Sequence, residues 1–139
     1  MWKRALLCVL CLSFNSSYLM AEEATDGGAE VKNDYRYFQL EPDIITNYVK
    51  PGKRIGFVRI TIELMVRSSG EYNLIDKHEP LIRDKIISIL GQQNEKMIKS
   101  ITDRDAIRAR CLEEVNNLLY DETGEKPLAN LLFTKYLYQ

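Results

Sequence analysis

Phe57-Val58-Arg59-Ile60-Thr61-Ile62-Glu63-Leu64-Met65-Val66-Arg67 is the stretch on which the fold turns. Val58, Ile60, Ile62, Leu64 and Val66 share one parity, while Arg59, Thr61, Glu63 and Arg67 share the other. Successive side chains of a strand point to opposite faces, so this period of two predicts a half-buried strand. Its polar face is either wet or covered by a partner. Upstream, aromatic-rich Tyr35 to Leu40 and apolar Ile44 to Val49 read as two further strands, with Glu41-Pro42-Asp43 as the turn between them and Pro51-Gly52 before the long strand.

Downstream the period changes. Ser68-Ser69-Gly70 reads as a break, and His78-Glu79-Pro80 as a helix start, because proline in a first turn lacks only an amide that would be unpaired there. Ile82, Ile86, Ile89 and Leu90 then form an apolar stripe, and the helix is expected to stop near Gly91. Glu95 to Ile101 fits a short strand or a helical continuation equally. Thr102, with Asp105 three residues on, resembles a capping box for a second helix. That helix carries Ile107, Cys111, Val115, Leu118 and Leu119 on one side. Asp121 to Pro127 is a solvated turn, and Leu128 to Tyr138, rich in Leu, Phe and Tyr, is a last strand. The order predicts an α+β fold, with helices packed on one face of a mostly antiparallel sheet.

At the N-terminus, Lys3 and Arg4 precede an apolar stretch from Ala5 to Leu12, a polar Ser13 to Tyr18, and Ala21. Residues 1–21 thus read as a signal peptide cleaved after Ala21, with an uncleaved membrane anchor as the other reading and lipid attachment at Cys11 as a third. Asn15, Ser16 and Ser17 make the stretch a poor span, since about 20 apolar residues are needed to cross a bilayer. Residues 22–34, with Glu22, Glu23, Asp26, Gly27, Gly28 and Glu30, read as a flexible leader. Residues 35–139 are the folded domain. Cleavage leaves 118 of the 139 residues, enough for one core. It also leaves Cys111 as the single cysteine, so no internal disulfide forms. The 19 basic residues of the chain become 17, against 20 acidic, when Lys3 and Arg4 are removed. That balance speaks against a nucleic-acid surface and for protein partners.

Catalytic chemistry is hard to find. One histidine and one cysteine in the mature chain fall short of a convergent metal set, and no metal or other cofactor is expected. His78 fits a surface or capping role. Cys111 sits in an apolar stripe as a small packing residue with nothing beside it to activate the thiol. Asp103, Asp105, Glu113 and Glu114 have ordinary places around a helix cap and on a helix surface. Gly27-Gly28 is not set between a strand and a helix, as a phosphate loop would be. A non-enzymatic binding protein without a small-molecule substrate is the expectation.

Tyr37-Phe38-Gln39-Leu40 with Pro42 and Asn47, the alternating strand, and His78-Glu79-Pro80-Leu81-Ile82-Arg83-Asp84-Lys85-Ile86-Ile87 together resemble FliL, the flagellar basal body-associated family. Glu114-Val115-Asn116-Asn117-Leu118-Leu119 and the closing Leu132-Phe133-Thr134-Lys135-Tyr136-Leu137-Tyr138-Gln139 resemble that family's late helix and terminal strand. The resemblance implies a stomatin-like periplasmic domain at the inner-membrane basal body. It also implies self-association into rings or arcs around the periplasmic region of stator units, with effects on motility. A soluble periplasmic adaptor unrelated to the flagellum is the other functional reading. Arg83 and Asp84 either define a subunit contact or are plain helix surface or paired within the domain. Asn116 suits a hydrogen bond to loop backbone. Tyr136 and Tyr138 either pack inward or present an aromatic docking face.

Overall fold

The computed structural model describes residues 34–52 and 54–139. The signal peptide or anchor and all but the last residue of the leader lie outside the described residues. Within them the order is β1 (Arg36–Gln39), β2 (Ile44–Lys50), β3 (Arg54–Val66), α1 (Ser69–Gly91), α2 (Glu95–Lys99), α3 (Ile101–Thr123) and β4 (Leu128–Tyr138). All strand pairs are antiparallel, and the fold is α+β as expected.

β3 is the centre of the sheet. Its residues 58–60 pair with both β2 and β4, and its residues 63–66 pair with both β1 and β4. β1 and β2 therefore lie end to end along one edge of β3, and β4 runs along the other. Four residues lie between Gln39 and Ile44, but only two lie between their partners Ile60 and Glu63. The surplus bulges out as Glu41-Pro42-Asp43.

The apolar parity of β3 is the core. Val58, Ile60, Ile62, Leu64 and Val66 are fully buried under α1 and α3, with Ile75, Ile82, Ile86 and Leu90 from the first helix and Cys111, Val115 and Leu119 from the third. Each such side chain contributes about 1.5–3 kcal/mol by leaving water. β4 matches this face only because it breaks period two twice, with register shifts between Thr61 and Ile62 and between Met65 and Val66. An extra residue at each bulge restores the inward set Leu128, Leu131, Phe133, Tyr136 and Tyr138 opposite Val66, Leu64, Ile62, Ile60 and Val58.

Two helix starts differ from expectation. α1 begins at Ser69, eleven residues before Pro80, which sits exposed inside the helix rather than in its first turn. The Ser68 side chain accepts from the Glu71 amide at 3.2 Å, and the Glu71 carboxylate accepts from the Arg67 amide at 2.6 Å. Ser68-Ser69-Gly70 is therefore a cap, not a break. Pro80 removes one amide from the ladder, but Ile75 before it and Ile82 after it are both fully buried, and that packing carries the helix through. The third helix is capped by Ser100, which accepts from the Asp103 amide at 3.2 Å, and not by Thr102. Ser100 also closes α2, capped in turn by Asn94, so residues 95–99 are helical. Leu118 is only partly buried, and Leu119 takes the core position. α3 ends on Gly124 at φ 78°, a left-handed cap that glycine adopts without a side-chain clash.

Candidate interaction surfaces

The bulge between β1 and β2 is pinned from two sides. From the helix layer, the Arg83 guanidinium donates to the Pro42 carbonyl at 2.7 Å and to Glu79 Oε1, one turn earlier on α1, at 2.9 Å. From the open sheet face, Asp43 accepts from Arg59 Nε at 2.7 Å and from Thr61 Oγ1 at 2.8 Å. The Thr61 and Arg59 hydrogen bonds hold the Asp43 carboxyl below its ordinary value of 3.8. A lowered carboxyl adds stability above its unfolded value and loses it as pH falls through the folded one. Acidification below about pH 4 should therefore lower the urea midpoint of the native chain more than that of Asp43→Asn. Nothing in the sequence marked Asp43 or Arg59 beyond a turn acid and a polar strand position, because their pairing crosses sixteen residues.

Arg83 and Asp84 are adjacent but differently placed. Arg83 is partly buried and engaged within the domain, whereas Asp84 is exposed and makes no ion pair among the described residues. Tyr136 and Tyr138 lie on the opposite edge of the sheet, on β4, and both point toward the helix layer. The Arg104 guanidinium stands 4.2 Å from the Tyr136 ring centroid, and that ring meets Phe133 at a tilt and Tyr138 edge-on. Burial pushes the Tyr136 hydroxyl up to about 12, against a smaller pull from Arg104. Tyr138 remains 42% exposed, so of the two tyrosines it is the one a partner can reach.

Asn116 clamps the start of β4. Its amide nitrogen donates to the Leu128 carbonyl and its oxygen accepts from the Leu128 amide, both at 3.0 Å. Asn116→Ala leaves both backbone groups unpaired and should cost about 1–2 kcal/mol in urea unfolding. Cys111 is fully buried, and burial pushes its thiol up to about 12. A thiol reagent at pH 8 should label native Cys111 only at the rate of unfolding, and labelling within seconds would contradict this placement.

No group of three or more His, Cys, Asp or Glu side chains is placed to hold a metal among the described residues. No helix among them is long and apolar enough to cross a membrane.

These features define a small α+β domain with two helices on one sheet face and distinct polar and aromatic clusters on opposite edges. Residues 37–139 match the model of the flagellar basal body-associated protein FliL, and the chain belongs to that family. It is similar to the protein named Flagellar protein FliL of Aquifex aeolicus (strain VF5), at 28% identity over 102 residues. The match covers 73% of this chain and 60% of that relative.

Proposed function

We propose that the chain is a non-enzymatic accessory of the flagellar motor, which self-associates around stator units in the periplasm and supports motility. The family match over residues 37–139 carries this reading. The arrangement of the domain is compatible with it. A ring needs a head-to-tail contact between two different patches of one subunit. Exposed Asp84, beside the Arg83-held turn, and Tyr138 on β4 offer such patches at opposite edges. Contacts this small are weak singly, and tethering around one central stator raises the effective concentration of each neighbour.

A photo-crosslinking residue placed at Asp84 in motile cells tests the contact. The expected adduct joins two copies of the chain and disappears when stators are absent. No adduct, together with normal swimming of Asp84→Arg in viscous medium, would rule the contact out.

A further inference from the structure

β4 is paired along one side only, to β3, and its other side is an edge of the sheet. In an antiparallel ladder, residues that bond the partner strand alternate with residues whose backbone groups point away from it. Phe57 and Gln139 exchange both backbone hydrogen bonds, at 3.4 and 2.9 Å. In the register that follows, Arg59–Leu137 and Thr61–Lys135 are therefore bonded pairs, and Tyr136 and Tyr138 turn their N–H and C=O groups outward.

The first half of this edge is closed by side chains. Asn116 takes both the N–H and the C=O of Leu128, and at Leu131 the amide donates to Asn130 Oδ1 at 2.8 Å while the carbonyl accepts from Arg108 at 3.1 Å. Among the described residues, no group bonds the outward N–H and C=O of Tyr136 and Tyr138 in this way. Arg104, one turn before Arg108 on α3, lays its guanidinium on the Tyr136 ring instead. Free backbone groups at strand spacing are a template for another strand, and here their protection stops halfway along β4. The open half is also cationic. Arg104 on the helix side and exposed Lys135 on the open face form no ion pair among the described residues, whereas Lys99, near the Tyr138 ring, is held by Glu95 at 2.7 Å. Beside Lys135 on the open face stands Leu137, half exposed.

We propose that the open half of β4 takes an acidic, extended segment of a partner protein as an added strand, its backbone paired with Tyr136 and Tyr138, a carboxylate facing Arg104 and an apolar side chain beside Leu137. Main-chain hydrogen bonds hold such a strand, and its alternate side chains select it. Opposite charges on neighbouring strands add to the pairing, and like charges oppose it. A second copy adding its own β4 about a two-fold axis brings a second set of the same cations to the edge, so it fits less well than an acidic segment. The contact is made by the β4 backbone and is read on the purified chain, so it can fail while the motor role stands, and the reverse.

The test titrates the full chain into a fluorescein-labelled octapeptide of alternating glutamate and valine and follows anisotropy. Saturable binding is expected. N-methylation of the glutamate amides should abolish it and N-methylation of the valine amides should spare it, because the residues opposite Tyr136 and Tyr138 are the ones whose amides face β4. Tyr138→Pro removes an outward N–H and no bond to β3, a change an edge strand tolerates, and should weaken binding about 10-fold, whereas Tyr138→Val keeps the backbone donor and should bind within about 3-fold of the native chain. Urea unfolding checks that the proline variant is folded; if it is not, the methylated peptides decide alone. Arg104→Gln and Lys135→Gln should each weaken binding about 3-fold, and an alternating lysine–valine peptide should not bind. Absence of saturable binding, equal effects of the two methylation patterns, or equal binding of the lysine–valine peptide would each overturn the proposal. Self-association of the chain without peptide, lost in Tyr138→Pro, would assign the edge to a second copy and overturn it as well.

Discussion

Gly56→Ala is expected to destabilise the domain by about 3 kcal/mol, the upper part of the range for overpacking a filled interior. An added methyl would overlap the Tyr48 ring and lie 2.7 Å from the Lys50 side chain. The ring cannot swing aside cheaply. Tyr48 is 1% exposed, and its hydroxyl donates to the Gln139 carbonyl at 2.9 Å. Gln139 also exchanges backbone hydrogen bonds with Phe57, so one methyl disturbs the junction of β2, β3 and the residue after β4 at once. Urea unfolding measures the loss. Tyr48→Phe/Gly56→Ala should recover little, because the clash is with ring carbons. A single substitution with native stability would show that the Tyr48 ring does not occupy the space above Gly56.

Arg83→Glu is expected to cost about 2–3 kcal/mol, while Asp84→Arg changes stability by less than about 0.5 kcal/mol. A hydrogen bond from a charged donor contributes about 1.5–3 kcal/mol, and Arg83 gives one to the Pro42 carbonyl. Reversal also sets two carboxylates four residues apart on one helix face, where like charges repel by a few tenths of a kcal/mol. Asp84 has neither burial nor a partner to lose, and exposed substitutions of that kind are nearly neutral. The comparison separates folding from docking. A swimming defect in Asp84→Arg reports a contact, whereas one in Arg83→Glu has to be corrected for lost folded protein. Equal destabilisation by both would contradict the placement of these side chains.

What could be read in advance followed the range of the interactions responsible. The β3 alternation and the Ile107-Cys111-Val115 stripe are local periodicities set by burial on one face, and both stand in the structure. The first half of α1 was hidden because Asp76 to Pro80 is polar and ends in a helix breaker. The signal that marked its true start, Ser68 followed three residues later by Glu71, was present as a capping box. The bulges of β4 could not be read, since an extra residue is visible only against the partner strand that skips it. For the same reason the inward direction of Tyr136 and Tyr138 was open in sequence, where simple alternation leaves the face undecided. The Asp43–Arg59 and Arg83–Pro42 contacts join elements sixteen and forty-one residues apart, beyond the reach of any local pattern.

The central claim, that this member of the FliL family works by binding at the flagellar motor, is most directly tested by imaging a fluorescently tagged full-length chain in cells with and without stators. Foci at the flagellar base that fade when stators are removed are the predicted result. A uniform envelope signal, unchanged by stator removal, in cells that swim normally in viscous medium without the chain would contradict it.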